Sequence, residues 1–144
     1  MTRGTRNNNP LNIRFSENNK WRGKKWGEDK HDLAFEEFDT MTNGVRAAIR
    51  LLRNYIKAGY DTAESIVLRW CPHYDPAAGT ENDTDRYLTF VTERLEKSFP
   101  QMTKRTKIYW YDFEVLYCLV SAMAWMESRY KVPPQLFFEA WKTL

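Results

Sequence analysis

The chain has 144 residues, the length of one ordinary domain whose core needs no cross-links. Hydrophobic residues make up 42% of it and aromatic residues 15%, a composition that excludes a disordered protein. The two cysteines, Cys71 and Cys118, are too few for a disulfide framework and predict small buried side chains. We expect a single globular domain over residues 1–144.

Charge is distributed unevenly along the chain. The formal net charge is +3, yet residues 1–26 hold seven basic side chains against the single acid Glu17. Such a basic segment indicates a polyanionic partner, which could be nucleic acid, an anionic membrane surface or an acidic cell-wall polymer. A solvated basic loop without a partner is the simpler alternative.

The first forty residues show little periodicity. From Arg3 to about residue 32 the sequence is rich in Asn, Gly, Lys and Trp, which predicts loops and a short hairpin carrying Trp21 and Trp26. The segment Leu33–Phe38 is interpreted as a strand. No apolar segment follows the initial Met, so we expect no signal peptide and synthesis in the cytoplasm.

Helical spacing of apolar residues begins near residue 42. The first of these helices is predicted to be capped by Thr42 or Asn43 and to end at Gly59. The next is predicted to start from the capping signature at 61–64 and to stop at Pro72, followed by a loop from Cys71 to Asn82.

Three further helices are predicted, from capping residues, prolines and the distribution of apolar residues. A third helix is predicted from a cap at Asp83 or Thr84 to a point before Pro100. The fourth, over 112–128, is apolar on nearly every face, which is typical of the buried centre of a small helical domain. Its uncharged run is about a dozen residues, too short for a membrane span. A last helix is predicted to start at Pro134. The fold class expected is α+β, mostly α.

Glu127 is the leading catalytic candidate. It is the first charge after the uncharged run, and partial burial at a helix end raises the pKa of a carboxyl, as a general acid requires. The alternative is that Glu127 marks where the helix reaches solvent, paired with Arg129 or Lys131.

An asparagine cluster near the amino terminus is the second candidate site. Its amides suit either a self-bonded tight loop or a surface that binds the hydroxyl and amide groups of a sugar or base ligand. Trp21 and the nearby basic residues would add a stacking face and a polar rim. The candidate binding residues are Asn7, Asn8, Asn9, Asn12, Arg14 and Trp21.

A third group lies in the segment 80–87, which predicts a loop that ends in a helix cap. Alternatively Glu81 or Asn82 projects into a cleft. His31 and His73 are isolated from other ligands, and the chain has no phosphate-binding glycine loop. We therefore expect no metal site and no cofactor.

Several motifs together resemble a known group of proteins. The motifs are RGTRNNNPLNIR, WRG, FEEF, NGVRAAIRLLRNYI, IVLRWCP and TENDTDRY. They resemble small phage and bacterial peptidoglycan-degrading proteins of the lysozyme-like superfamily. The family pattern continues Pro-Gly-Asn, whereas this chain has Leu11 in the glycine position, which predicts an altered turn.

The resemblance implies a lysozyme-like domain with a catalytic glutamate at the end of a buried helix. In related lytic transglycosylases an Asn-rich loop follows that helix, whereas here Asn7 to Asn12 precede Glu127, which indicates a circular permutation. Glu127 would protonate the glycosidic oxygen, and either water or the sugar's 6-hydroxyl would complete cleavage. Glu81 is the candidate second carboxylate, and Asn82 and Tyr87 join the substrate-binding candidates.

The resemblance also implies the partner and the place of action. The partner would be peptidoglycan, together with components of a virion or secretion machine, and the protein would reach the wall after lysis, injection or dedicated secretion. A non-catalytic virion or wall-binding protein on the same fold is the main alternative. The lack of a DNA-binding pattern after the basic segment argues against nucleic acid.

Overall fold

The segments with helical periodicity form helices in the computed structural model, which describes residues 1–144. Six α-helices and one short antiparallel hairpin make up the regular structure, so the α+β, mostly α prediction is confirmed. The helices are α1 (Arg3–Arg6), α2 (Met41–Lys57), α3 (Ala63–Trp70), α4 (Thr84–Ser98), α5 (Phe113–Ser128) and α6 (Pro134–Lys142). None of them is both long and apolar enough to cross a membrane.

Two compact units divide the chain, with boundaries inside α2 and α5. The first unit contains residues 1–51 and 123–144, and the second contains residues 52–122. In the first unit the fully buried apolar side chains include Leu11, Phe38, Ile49, Met123 and Phe137. The second unit buries Leu52, Ile66, Val91, Leu116 and Leu119.

The segment 14–38 pairs only through isolated bridges between Arg14 and Phe35 and between Lys24 and Phe38. The predicted strand at Leu33–Phe38 and the predicted hairpin around Trp21 and Trp26 are therefore wrong. A strand alternates buried and exposed side chains. Residues 36–38 are instead buried in succession, because the Glu36 carboxylate accepts from Lys24 and the Glu37 carboxylate accepts from the His31 N–H.

The helices of the first unit begin and end close to the predicted positions. Helix α2 starts two residues early because the Thr40 hydroxyl accepts a hydrogen bond from the Asn43 N–H at 3.2 Å, which makes Thr40 the cap. Helix α6 begins at Pro134, as predicted, and its end is held to α2 by a 3.0 Å hydrogen bond from Arg46 Nε to Thr143 Oγ1.

The second unit contains α3, α4 and the hairpin. Helix α3 is capped by Thr62, which forms a reciprocal capping box with Ser65, one residue beyond the predicted signature. Helix α4 has its predicted cap at Asp83. The hairpin of β1 (Tyr74–Asp75) and β2 (Thr80–Glu81) lies within the segment predicted as a loop.

The two cysteines are free thiols and only half-buried, which corrects the prediction of full burial. Cys118 lies on α5, where its Sγ donates to the Arg94 carbonyl at 3.4 Å. Burial raises the pKa of this thiol above its usual range.

Candidate functional site

The amino-terminal loop binds the carboxyl end of α5. The last carbonyls of a helix have no partner within it, and here the loop supplies the missing donors. Asn12 Nδ2 donates to the Glu127 carbonyl at 3.0 Å, and Thr2 Oγ1 donates to the Ser128 carbonyl at 2.7 Å. Ser128 Oγ in turn donates to the Pro10 carbonyl at 2.8 Å. The cluster of asparagines and the helix end that carries Glu127 thus form one structure within the first unit.

Backbone geometry explains the residue types in this loop. Asn8 and Asn12 both have a φ of +53°, a left-handed conformation that asparagine tolerates better than most residues. Gly4 lies so close to α5 that an added Cβ would be 1.8 Å from Ser128 Oγ. Arg129, with a φ of +52°, ends α5. Leu11, which stands where the similar motif has glycine, is not left-handed and is fully buried, so this position holds a core side chain without backbone strain.

The asparagine side chains mostly hold the loop together. Asn9 is fully buried and donates to the carbonyls of Ile13 and Glu36 at 3.0 Å each. Its Oδ1 accepts from the Ile13 N–H at 2.9 Å. Asn7 Nδ2 donates to Asp32, and Asn8 Nδ2 donates to the Phe38 carbonyl at 3.1 Å. The tight self-bonded loop, one of the two sequence interpretations, is therefore present.

Glu127 lies in the last turn of α5 and is half-buried. Beside it, the Asn12 Oδ1 atom is buried and has no hydrogen-bond partner, although Asn12 Nδ2 is bonded. Trp21, also half-buried, has an indole Nε1 that is buried without a partner. Glu36 Oε1 is likewise buried without a partner, so the first unit contains two buried acceptors and one buried donor whose hydrogen-bonding capacity the protein does not use.

The basic amino-terminal segment is largely neutralised by acids that follow it. Residues 1–40 hold eight basic and seven acidic side chains. Lys24 is buried and donates to Glu36 at 2.9 Å, and Lys24 Nζ lies 4.1 Å from the Trp26 ring centroid. Arg14 remains exposed, with its guanidinium 5.4 Å from the Phe35 ring centroid. Over residues 1–40 the excess of basic over acidic side chains is therefore only one.

Arg3 and Asp32 form the strongest charged contact near this loop. Arg3 Nε and Nη2 donate to the two carboxylate oxygens at 2.6 and 2.7 Å. These hydrogen bonds, with those from Asn7 and two backbone N–H groups, hold the pKa of Asp32 well below its usual range. The same contact raises the pKa of Arg3.

A cavity of about 750 Å³ lies beside this ion pair. Its wall includes Arg3, Arg6, Lys25, His31 and Glu37. Sequence reasoning missed the cavity because these residues are spread over 35 positions and carry no shared motif. The basic composition of the segment was the one available signal.

The remaining predicted residues belong to the second unit. Glu81 is exposed on β2. The half-buried Asn82 donates through Nδ2 to the Pro72 carbonyl at 2.9 Å. Tyr87 is buried in α4. Roles for these residues stay predictions. Nowhere do three or more His, Cys, Asp or Glu side chains form a group that could hold a metal ion.

Comparison with known proteins finds sequence similarity to a phage protein. No protein-family model matches it. Over 96 residues it is 44% identical to Protein P5 of Pseudoalteromonas phage PM2, a match that covers 64% of this chain and 54% of the phage protein. The chain spans about half the length of that relative. At this identity the two sequences are homologous, so the chain is related to a phage protein.

Proposed function

We propose that the protein cleaves the glycan strands of peptidoglycan, with Glu127 as the general acid of a permuted lysozyme-like domain. The observation that carries the proposal is the pair of hydrogen bonds from Asn12 and Thr2 to the last carbonyls of α5. These contacts join residues that are 115 and 126 positions apart in sequence. They support the proposal because they hold the Asn loop beside the helix end that carries Glu127. The family resemblance implies this neighbourhood, although the two segments occur in the reverse order along this chain.

The position of Glu127 suits proton donation. The carbonyl end of a helix favours the neutral form of a carboxyl group, because the helix dipole places partial negative charge there. Half-burial removes part of the water that would otherwise stabilise the carboxylate. A neutral carboxyl in this position would protonate the bridging oxygen between two amino sugars.

Neighbouring groups would bind the substrate. Amino sugars carry N-acetyl groups, each with one N–H donor and one carbonyl acceptor. Asn12 Oδ1 and Trp21 Nε1 are an acceptor and a donor that no protein group uses. Side-chain rearrangement on binding would expose them to these acetamido groups. The oxocarbenium-like intermediate would then react with water or with the sugar's own 6-hydroxyl.

A non-catalytic wall-binding or virion protein is the second candidate. It is favoured by the asparagine contacts, because Asn7, Asn8 and Asn9 all donate to protein acceptors. A loop bonded in this way can be retained for folding alone. The phage origin of the related Protein P5 agrees with either candidate.

Lysis of isolated peptidoglycan by matched variants separates these candidates. Glu127→Gln removes the proposed acid, and Glu114→Gln changes an exposed glutamate in the first turn of the same helix. We expect turbidity to fall with the wild type and with Glu114→Gln, and to stay constant with Glu127→Gln. Wall binding without lysis by all three proteins would favour the non-catalytic role instead.

A further inference from the structure

The cavity beside Arg3 has a volume of about 750 Å³, within the range of small-ligand sites. Its acidic groups are already engaged. Asp32 is bound bidentately by Arg3, and Glu37 Oε1 accepts from the backbone N–H groups of His31, at 2.7 Å, and of Asp32. The wall is therefore fixed by internal hydrogen bonds.

Two cations of this wall remain available. Arg6 is exposed, Lys25 is half-buried, and neither forms an ion pair. The three cations Arg3, Arg6 and Lys25 exceed the two acids Asp32 and Glu37 by one charge, and because Arg3 and backbone groups bind the acids, the donors of Arg6 and Lys25 remain available to a ligand. A carboxylate is a ligand that such donors bind through charge-assisted hydrogen bonds.

The cavity also has an apolar edge. Leu33, which lines it, is 93% exposed, and the neighbouring Ala34 is exposed as well. A ligand that combines a carboxylate with small apolar groups would use both parts of the surface. Short peptides containing alanine and acidic residues have this chemistry.

Helix α1 links the cavity to the proposed catalytic end of α5. Arg3 and Arg6 line the cavity, while Gly4 packs against Ser128. A helix of four residues is about 6 Å long, and an extended peptide covers ~10 Å in three residues. The cavity and the end of α5 that carries Glu127 therefore contact the same single helical turn.

We infer that this cavity binds a carboxylate of the peptide stem that peptidoglycan carries on its glycan strands. The inference rests on the proposed function, because it assigns a second part of the same substrate. It makes Arg6 and Lys25 substrate-binding residues that recognise the stem and take no part in bond cleavage.

Cosedimentation with two forms of the polymer tests the inference. One form is intact peptidoglycan, and the other is glycan strands whose stems an amidase has removed. The test variant is Arg6→Gln with Lys25→Gln, and the charge-matched control is Arg50→Gln with Lys97→Gln, two exposed residues that are not part of the cavity wall. Arg6→Gln alone, at an exposed position, repeats the test without risk to folding.

The wild type and the control are expected to bind intact peptidoglycan about tenfold more tightly than stripped strands. The test variants should lose that preference and keep their affinity for stripped strands. A preference retained by the test variants, or absent from a wild type whose lysis depends on Glu127, would overturn this inference alone. Failure of the wild type to bind either polymer would overturn the proposed function as well.

Discussion

At the scale of single residues, the asparagines of the amino-terminal loop differ in what their side chains can do. Asn9 forms three buried hydrogen bonds, all within the protein. Asn12 bonds the end of α5 and leaves its Oδ1 unused. Asn9 therefore bonds only its own loop, whereas Asn12 contacts the backbone of Glu127 and keeps one acceptor unused. Both residues are substrate-binding candidates in the sequence, with a self-bonded loop as the alternative. The sequence cannot separate the two interpretations because an amide side chain bonds equally well to protein groups and to a ligand.

Substitution of Asn9 should cost mainly stability. In Asn9→Ala, the Ile13 N–H and the Glu36 carbonyl would be buried without partners, at a cost of about 3 kcal/mol in the free energy of unfolding. Urea denaturation measures this change, with Asn18→Ala as a control at an exposed position. A loss below about 0.5 kcal/mol would contradict the structural role.

Substitution of Asn12 should affect activity more than stability. Asn12→Gly keeps the left-handed backbone but removes the donor to the Glu127 carbonyl. If Asn12 positions Glu127, the initial rate of peptidoglycan lysis should fall about tenfold, which corresponds to ~1.4 kcal/mol in the barrier. Binding to the polymer, measured by cosedimentation, should fall by a smaller factor than the rate, because Asn12 Oδ1 is only one of the groups proposed to bind the acetamido groups. Equal loss of rate and binding would instead indicate a contact with substrate alone.

Asp32 should make stability depend on acid pH. Its pKa is lowered in the folded state, so its contribution is complete above the unfolded value of about 3.9 and declines as pH falls toward the folded value. The wild type should exceed Asp32→Asn in stability by a constant amount between pH 7 and 5, and by a shrinking amount below about pH 4. Urea denaturation at several pH values measures this gap. A gap unchanged down to about pH 2.5 would contradict the assignment.

At the scale of elements, caps and prolines made the helices predictable. Asp83 and Pro134 lie where the sequence predicts the starts of α4 and α6, because each acts through its nearest neighbours. The segment 14–38 was not predictable in the same way. Its conformation depends on Lys24 and Glu36, which meet across 12 positions and are both buried. No local pattern reports such a pairing.

The Lys24–Glu36 ion pair should be essential to this segment. Lys24→Met would leave the Glu36 carboxylate buried without its cation and should lower the free energy of unfolding by about 3 to 5 kcal/mol. The double variant Lys24→Met, Glu36→Met removes both charges and should regain most of that loss. Thermal or urea denaturation of the wild type, of the single variants Lys24→Met and Glu36→Met, and of the double variant gives the coupling. Additive losses would show that the pair contributes little.

At the scale of the whole molecule, the mostly helical class and the placement of five helices were predictable from periodicity. The short α1 was not, because Arg3–Arg6 forms a single turn whose amino end is capped by Thr2 and whose place is fixed by contact with Ser128. The cavity beside it was missed for a similar reason, since its walls come from distant positions. The motif resemblance, in contrast, implies that the Asn loop lies beside the helix end that carries Glu127. The hydrogen bond from Asn12 to the Glu127 carbonyl agrees with that arrangement.

The central claim is that Glu127 supplies the proton for glycan cleavage. Mass spectrometry of the soluble products from isolated peptidoglycan, digested by the wild type, Glu114→Gln and Glu127→Gln, tests it most directly. We expect glycan fragments from the first two proteins and none from Glu127→Gln, and the fragment mass distinguishes a hydrolytic from an anhydro product. Fragments released by Glu127→Gln at the wild-type rate, or none released by the wild type, would contradict the claim.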